Sequence, residues 1–168
     1  MKSFAKILQI LFLLSVAIQP ANSQVLDSTF HRWKVYEMQE NELDYKKCYI
    51  VSRPIKSDSD HNFRQKPYLM ITRFQKDRTE EVSIYSGFEF KLSSKIMLLA
   101  GYDQFSLATK GDIAWAKTKY EDARIIETLL NQGFLKVRSD SAVGTYAVDE
   151  YSMKGIVKAY TRMKEICK

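Results

Sequence analysis

The chain has 168 residues, of which 45% are hydrophobic and 27% are charged, and its formal net charge is +6. This length suits one domain with a full-sized core. Positive and negative residues are interspersed, without the dense basic patch that is typical of a nucleic-acid-binding protein. We therefore expect no nucleic-acid partner.

The N-terminus has the pattern of a secretory signal peptide. Lys2 and Lys6 precede an apolar run over 7–18, and Pro20 ends this run. The run of about 12 residues is shorter than the roughly 18 to 20 that a membrane-spanning helix requires. The pattern therefore favours a cleaved leader over an uncleaved membrane anchor, and we expect no stable transmembrane segment after cleavage.

Small residues indicate where the leader is cleaved. Ala21 and Ser23 occupy the −3 and −1 positions before Gln24. We predict a signal peptide over 1–23 and a single β-rich domain over 24–168. The mature protein is expected to be exported, either to the periplasm or to the medium or outer surface.

The chain contains two cysteines, Cys48 and Cys167. Because extracytoplasmic spaces are oxidising, we predict a disulfide between them, with two buried free thiols as the alternative. Neither cysteine belongs to a CxxC pair, so we expect no zinc ribbon and no catalytic thiol.

The middle of the mature chain has the pattern of short β-strands separated by turns. The polar stretches over 37–47 and 56–66 are interpreted as connections, and 68–74 is apolar enough to be interior. Strands at this spacing are typical of a β-sandwich or barrel. The predicted strands cover 33–36, 47–52, 68–74, 81–86, 88–92, 95–100, 103–108, 113–116, 134–138 and 146–148.

The first of two predicted amphipathic helices covers about 118–132. Thr118 and Glu121 have the spacing of a capping box, and Gly133 stands where a left-handed helix end is common. Its apolar stripe is expected to contain Ala123, Ile126, Leu129 and Leu130.

The second predicted helix covers about 152–167, with Ser152 as its N-cap. Its apolar face is expected to contain Met153, Ile156, Val157, Tyr160, Met163 and Cys167. The predicted fold is therefore mainly β, an antiparallel β-sandwich or open barrel with two packed amphipathic helices.

Few residues are candidates for catalysis. The two histidines, His31 and His61, lie in polar or flexible surroundings, and there is no glycine-rich phosphate loop or catalytic-serine motif. We therefore predict no catalytic residue, no metal site, no cofactor and no enzymatic activity. The ten Tyr, nine Phe and two Trp are interpreted mostly as core, although an exposed aromatic patch for a partner remains an alternative.

Three segments of the mature chain form a further pattern. They are CYIVSRP over 48–54, EVSIYSGFEFK over 81–91 with GDIAW over 111–115, and SAVGT over 141–145 with DEYSMKG over 149–155 and the terminal Cys167. Together they resemble the invasion-associated locus B proteins of alphaproteobacteria, except that Val143 stands where a basic residue is expected. The motif positions, read as structural, are Pro54, Gly87, Trp115, Gly144, Thr145, Asp149, Ser152 and Gly155.

The resemblance implies an exported, mostly-β protein of Gram-negative bacteria, associated with host-cell invasion, and supplies no reaction, cofactor or catalytic residue. We expect a non-enzymatic protein that binds a protein partner in the envelope or on a host cell. The alternatives are a periplasmic chaperone or accessory protein and, with less support, a hydrolase. A hydrolase requires a concave pocket with converging polar groups, whereas a binding module requires a flat or grooved apolar surface.

Overall fold

The computed structural model describes residues 23–39 and 45–168, and the predicted signal peptide lies outside them except for Ser23. The described residues form one sheet of eleven strands and two helices. The strands are β1 (Ser23–Phe30), β2 (Trp33–Gln39), β3 (Lys46–Ser52), β4 (Lys56–Ser59), β5 (Tyr68–Phe74), β6 (Glu80–Tyr85), β7 (Lys95–Ala100), β8 (Asp103–Lys110), β9 (Ile113–Trp115), β10 (Phe134–Asp140) and β11 (Tyr146–Ser152), and the helices are α1 (Lys119–Asn131) and α2 (Ile156–Ile166).

The sheet is antiparallel throughout, in the order β1-β2-β3-β5-β6-β9-β8-β7-β10-β11-β4. The sheet curls so that its two halves approach each other. A hydrogen bond joins them, in which Trp33 Nε1 on β2 donates to the carbonyl oxygen of Ser152 on β11 (3.1 Å). The terminal strands β1 and β4 do not pair, so the sheet is not closed. This confirms the predicted mainly-β fold with two helices.

The hydrophobic core lies between the two halves of the curled sheet and beneath both helices. Along each strand, alternate side chains point inward, and each large side chain buried there contributes roughly 1.5–3 kcal/mol. Side chains from both halves therefore form one continuous cluster, which includes Trp33, Val35, Ile50, Leu69, Ile71, Ile84, Ile96, Leu98, Leu107, Leu135, Val137 and Tyr151.

Three predictions in the strand region were wrong, two of them connections and one of them a strand. The predicted loop over 56–66 begins with β4, whose polar residues pair with β11 at the sheet edge. The predicted connection over 37–47 begins inside β2, which continues to Gln39. The predicted strand over 88–92 is irregular and contributes one isolated bridge, Phe90 to Ser141. The positive φ of Gly87 turns the chain out of the extended conformation there.

Strand β1 was not predicted from the sequence. Its pairing with β2 shifts register between Leu26 and Ser28, so a bulge at Asp27 breaks the alternation that indicates a strand. Asp27 instead accepts two hydrogen bonds from Arg162 of α2, at 2.9 and 2.7 Å. The strand is therefore held by tertiary contacts that its own residues do not reveal.

The start of α1 agrees with the predicted cap. Thr118 accepts a hydrogen bond from the backbone N–H of Glu121 at 3.2 Å. Within the predicted stripe, Ala123 is exposed, and Asp122 and Ile125 are buried in addition to Ile126 and Leu129. The predicted left-handed end at Gly133 is also wrong, because the helix ends at Gln132 in extended backbone that leads directly into β10.

The start of α2 differs from the prediction. Strand β11 continues to Ser152, and the helix begins at Ile156 after Gly155, whose φ is 96°. Ser152 is therefore not the N-cap, and its Oγ instead accepts a hydrogen bond from the backbone N–H of Lys154 (3.3 Å). Of the predicted apolar face, Val157 is 54% exposed and Tyr160 is half-buried, whereas Met153, Ile156, Met163 and Cys167 are buried, together with Ala159.

The predicted disulfide is present between Cys48 on β3 and Cys167 at the end of α2. Their Cα atoms are 5.8 Å apart, within the usual range for a bridge, and both residues are fully buried. The bond fastens the last turn of α2 to the sheet across 119 positions of sequence. Neither described helix has the length and hydrophobicity needed to span a membrane.

Candidate binding surface

The outer surface of β2, β3, β5 and β6 is unusually rich in tyrosine. On these strands the residues that alternate with the core residues point away from the core. The strand register places Tyr36 opposite Tyr49, Tyr68 opposite Tyr85 and Val51 opposite Met70. We call this surface the tyrosine face and define it by Tyr36, Tyr49, Val51, Tyr68, Met70 and Tyr85.

The tyrosines form two stacked pairs. The ring centroids of Tyr36 and Tyr49 are 5.2 Å apart with the planes inclined by 18°. Those of Tyr68 and Tyr85 are 5.1 Å apart and inclined by 25°. Cross-strand aromatic pairs of this kind add about 0.5–1.5 kcal/mol each beyond the area they bury, so the rings form a rigid platform.

Two phenol groups of the tyrosine face, those of Tyr49 and Tyr68, have a raised pKa and are neutral at physiological pH. Burial, with smaller contributions from Tyr36 and Tyr68, raises the pKa of Tyr49 to about 12. Burial also raises the pKa of Tyr68. Tyr85 donates a hydrogen bond to Gln65 Oε1 (2.6 Å), whereas the other three hydroxyl groups have no hydrogen-bond partner among the described residues. Tyr36 and Tyr68 are half-buried, so their hydroxyls are available to a partner, whereas Tyr49 is only 9% exposed.

The outer surface of the other half of the sheet is different. There the outward side chains of β10 and β11 include Lys136, Arg138 and Glu150. Lys136 lies 4.0 Å from Glu150, and Arg138 lies 3.4 Å from Asp140, so these charges are paired with one another. This half also carries the outward aromatic residues Phe134 and Tyr146, but among the described residues it has no stacked pair of tyrosines.

A groove of about 350 Å³ lies at one end of the tyrosine face. Its walls come from the β1–β2 turn, the start of β2, the end of β3 and the start of β5. We call it the basic groove and define it by its lining residues His31, Arg32, Lys34, Tyr36, Val51, Ser52, Arg53 and Tyr68. Tyr36, Val51 and Tyr68 belong to both surfaces, so the groove opens directly onto the tyrosine face.

The basic groove has an uncompensated positive charge. No carboxylate lines it, and within 23–39 and 45–168 no acidic residue forms an ion pair with Arg32, Lys34 or Arg53. Arg53 donates a hydrogen bond to the carbonyl oxygen of Lys66 (3.1 Å), which orients its side chain and leaves its charge unneutralised. The groove therefore attracts anionic groups.

Two of the motif positions hold the β1–β2 turn that carries His31 and Arg32. A side chain at Gly155 would overlap the carbonyl oxygen of Phe30, so only glycine allows α2 to begin this close to the turn. The carbonyl of Ser152 accepts the hydrogen bond from Trp33, the first residue after the turn. Pro54 follows Arg53 and is half-buried at the end of the same groove wall.

Other motif positions surround a buried ion pair between Arg64 and Asp149. The two guanidinium–carboxylate distances are 2.6 and 2.9 Å, and the side chains are only 8% and 2% exposed. Arg64 also donates to the carbonyl oxygen of Ser86 (2.6 Å), and Ser57 donates to Asp149 (2.7 Å). The pair fastens the loop after β4 to β11, which is a structural role.

The remaining polar contacts of this region form a short chain of hydroxyl groups. Thr145 Oγ1 lies 2.6 Å from both His61 Nδ1 and Ser141 Oγ. Activation of a hydroxyl nucleophile by histidine requires a third group that orients the ring. Among the described residues, no carboxylate is hydrogen-bonded to His61, so the row of hydroxyl groups lacks the group that would orient the ring.

Gly87 and Gly144 shape the loops of the same region through their positive φ angles of 81° and 82°. A side chain at Gly87 would overlap the carbonyl oxygen of Gln65. The absence of a side chain therefore allows the loop that contains Arg64 to pack closely. Trp115 lies elsewhere, on β9 opposite Ser83 and half-buried beside the tyrosine face. The eight motif positions are therefore brought to three places and not to one site.

The structure separates the two histidines that the sequence offered as candidates. His31 lines the basic groove, whereas His61 contacts Thr145 and the ring of Phe88. Over 23–39 and 45–168, no group of three or more His, Cys, Asp or Glu side chains is placed to bind a metal ion. Asp149 and Glu150, which are adjacent in the sequence, point in opposite directions, since Asp149 is buried and Glu150 points outward.

Sequence reasoning left an exposed aromatic patch open as an alternative without naming its residues, and it missed the basic groove. A signal for the tyrosine face was present, because Tyr36, Tyr49, Tyr68 and Tyr85 each alternate with residues that were interpreted as core. For the groove, His31, Arg32 and Lys34 are close together in the sequence, but nothing there indicates that Arg53, at the end of β3, joins them.

Comparison with known proteins adds no identification. A scan against protein-family models finds no match, and searches of curated proteins and of solved structures find none either. Functional inference therefore depends on the residues and geometry described above.

Proposed function

We propose that this protein is an exported, non-enzymatic binding domain that engages a protein partner through its tyrosine face. The observation that carries the proposal is that four tyrosines, arranged as two stacked pairs, form an outer sheet surface that neither helix covers. Tyrosine is enriched at protein interfaces because it contributes a large, rigid contact area and a hydroxyl group.

The shape of the surface supports binding over catalysis. A flat platform beside a groove suits an extended contact, whereas a hydrolase requires polar groups that converge in a concave pocket. The hydroxyls of Tyr36 and Tyr68 are available for hydrogen bonds with a partner, and the stacked rings lose little conformational entropy on binding.

Export is part of the same proposal. The leader pattern over 1–23 and the Cys48–Cys167 disulfide both suit an extracytoplasmic protein. The resemblance to invasion-associated locus B proteins supports a role in the envelope or at a host-cell surface. The identity of the partner distinguishes a role in host-cell invasion from one in general envelope upkeep.

The test is capture of a partner from envelope and host-membrane extracts with the mature chain as bait. The decisive comparison is between wild type and a face variant, Tyr36→Ser with Tyr68→Ser. A matched control replaces Tyr102 and Tyr120 by serine, because these exposed tyrosines lie on the β7–β8 turn and on α1, away from the tyrosine face. A photo-crosslinking residue at Met70 identifies the protein in contact with the face.

We expect wild type and the control variant to capture the same protein in similar amounts. The face variant should capture at least tenfold less of it, and crosslinks should form from position 70. Equal capture by the face and control variants would overturn the proposal. Capture of many unrelated unfolded proteins, lost on the same substitutions, would instead indicate the alternative of a periplasmic chaperone.

A further inference from the structure

The positive charge of the basic groove is concentrated where the tyrosine face ends. Arg32, Lys34 and Arg53 surround a space of about 350 Å³ that contains no carboxylate. Elsewhere, several basic side chains are neutralised locally, as Lys46 is by Glu37 at 3.1 Å and Arg162 by Asp27 at 2.7 Å. The groove is therefore a site at which the protein leaves positive charge without a local counter-charge.

We propose that the basic groove binds an acidic segment of a protein partner, with Asp or Glu side chains contacting Arg32, Lys34 and Arg53. The inference rests on the proposed function, because it assigns a chemical class to the partner of the tyrosine face. Arginine is well suited to this contact, since its planar guanidinium can bind a carboxylate through two parallel hydrogen bonds.

The continuity of the two surfaces indicates a polypeptide chain and not a small anion. Tyr36, Val51 and Tyr68 line the groove and also belong to the tyrosine face. A segment whose carboxylates occupy the groove therefore continues over stacked phenol rings, which suit apolar side chains. A single inorganic anion would use only the cations and would leave the apolar wall formed by Val51 uncovered.

The groove is built to be rigid at its two ends. Gly155 allows the β1–β2 turn to pack against the start of α2, which positions His31 and Arg32. On the other side, the carbonyl of Lys66 orients Arg53 through a hydrogen bond of 3.1 Å. Preorganised donors lower the entropic cost of binding, so the groove is expected to favour one arrangement of carboxylates.

The experiment selects ligands from a random dodecapeptide library displayed on phage, with the mature domain as target. Three targets are compared: wild type, a charge-reversal variant Lys34→Glu with Arg53→Glu, and a control variant Lys110→Glu with Lys158→Glu. The control makes the same change in net charge at exposed lysines on β8 and α2, outside the groove. Circular dichroism and melting temperature establish that all three are folded.

We expect peptides selected on wild type and on the control variant to be enriched in Asp and Glu at least threefold over the library, next to apolar positions. Selection on the charge-reversal variant should lose this enrichment. A selected peptide should bind wild type at least tenfold more tightly than its Glu→Gln and Asp→Asn counterpart, and its affinity should fall as salt is raised from 50 to 500 mM. Lack of acidic enrichment, or enrichment that survives charge reversal, would overturn the inference.

Other anions are tested in parallel with heparin, a single-stranded oligonucleotide and inorganic phosphate. Binding of any of these that depends on Lys34 and Arg53, in the absence of acidic-peptide binding, would assign the groove to that anion and overturn the inference. Partner capture separates this failure from failure of the proposed function. If the tyrosine-face variant loses the captured protein and the charge-reversal variant keeps it, the proposed function stands and the acidic-segment inference falls.

Discussion

At the scale of single residues, Asp122 shows how one buried carboxyl group couples the fold to pH. Its Oδ1 accepts a hydrogen bond from the backbone N–H of Val82 at 2.8 Å, at the point where β6 continues beyond its pairing with β9. Burial raises the pKa of Asp122 to about 6, and the charges of Glu81 and Glu121 add to this effect. The hydrogen bond from Val82 opposes it without cancelling it.

The direction of the pH effect follows from this shift. The carboxyl titrates near 3.8 in the unfolded chain and near 6 in the folded protein, so the folded state binds more protons between these values. The contribution of the protonated Asp122 to the free energy of unfolding is complete below pH 3.8 and is lost as the pH rises through 6. At neutral pH the folded protein therefore carries a destabilising buried charge at Asp122.

We predict that Asp122→Asn stabilises the protein at pH 7, because the amide oxygen still accepts the hydrogen bond from Val82 and carries no charge. The gain should be about 1–3 kcal/mol, since one unit of pKa corresponds to about 1.4 kcal/mol. It should shrink towards pH 4. Urea unfolding at pH 4, 5, 6 and 7 measures the difference, with Asp58→Asn on the exposed strand β4 as control. Parallel pH profiles for wild type and Asp122→Asn would contradict the prediction.

At the scale of elements, α2 is held to the sheet by contacts of several kinds. Its buried face packs on the inner surface of the sheet, Arg162 binds Asp27 on β1, and the disulfide joins its end to β3. Gln75 adds a hydrogen bond to the carbonyl of Lys168 (2.5 Å). The apolar face lies before the last turn, so the disulfide chiefly restrains the residues after Met163.

We predict that Cys48→Ser with Cys167→Ser lowers the melting temperature and increases hydrogen exchange after Met163, without unfolding the domain at 25 °C. The loss should be at most about 4–5 kcal/mol, the value that the chain-entropy treatment assigns to so long a loop. Hydrogen-exchange mass spectrometry and thermal unfolding measure the two effects, and reductant added to the variant serves as the control. Unchanged exchange in the last turn, or global unfolding at 25 °C, would show the interpretation to be wrong.

At the scale of the whole molecule, the predicted leader ends at Ser23, which is also the first residue of β1. Cleavage before Gln24 would remove only the first residue of β1, whose pairing with β2 continues from Gln24 to Phe30. The predicted mature domain over 24–168 would therefore keep ten strands intact and β1 nearly so within the described residues. The predicted processing site is compatible with the fold.

We predict that the protein recovered from the periplasm or medium begins at Gln24. The physical reason is the small residues Ala21 and Ser23, which fit the narrow subsites of the processing enzyme. Intact-mass analysis of the exported protein measures the start directly, and Ala21→Leu is a control that should block processing. Full-length chain in the membrane fraction would contradict the prediction.

Local patterns in the sequence determined much of the secondary structure. The hairpin of β7 and β8, strand β5 and the Thr118 cap of α1 were predicted because hydrogen bonding and alternation act over a few residues. The disulfide was predicted from the number of cysteines and the expected compartment. The predictions were wrong where distant contacts override the local conformational preference of the residues. An example is β1, whose bulge is held by Arg162 of α2.

Only the tertiary structure decided which surface of the sheet is left uncovered. Alternation assigns the tyrosines of β2, β3, β5 and β6 to one side of their strands, but the curl of the sheet and the position of α2 determine that the opposite side becomes the core. The same is true of the basic groove, because Arg32 and Arg53 become neighbours only when β2 pairs with β3 and Gly155 lets the β1–β2 turn pack against α2. Charge and aromatic content are readable from one sequence, whereas their convergence depends on strand pairing and on the contact of Gly155 with a turn far from it in the sequence.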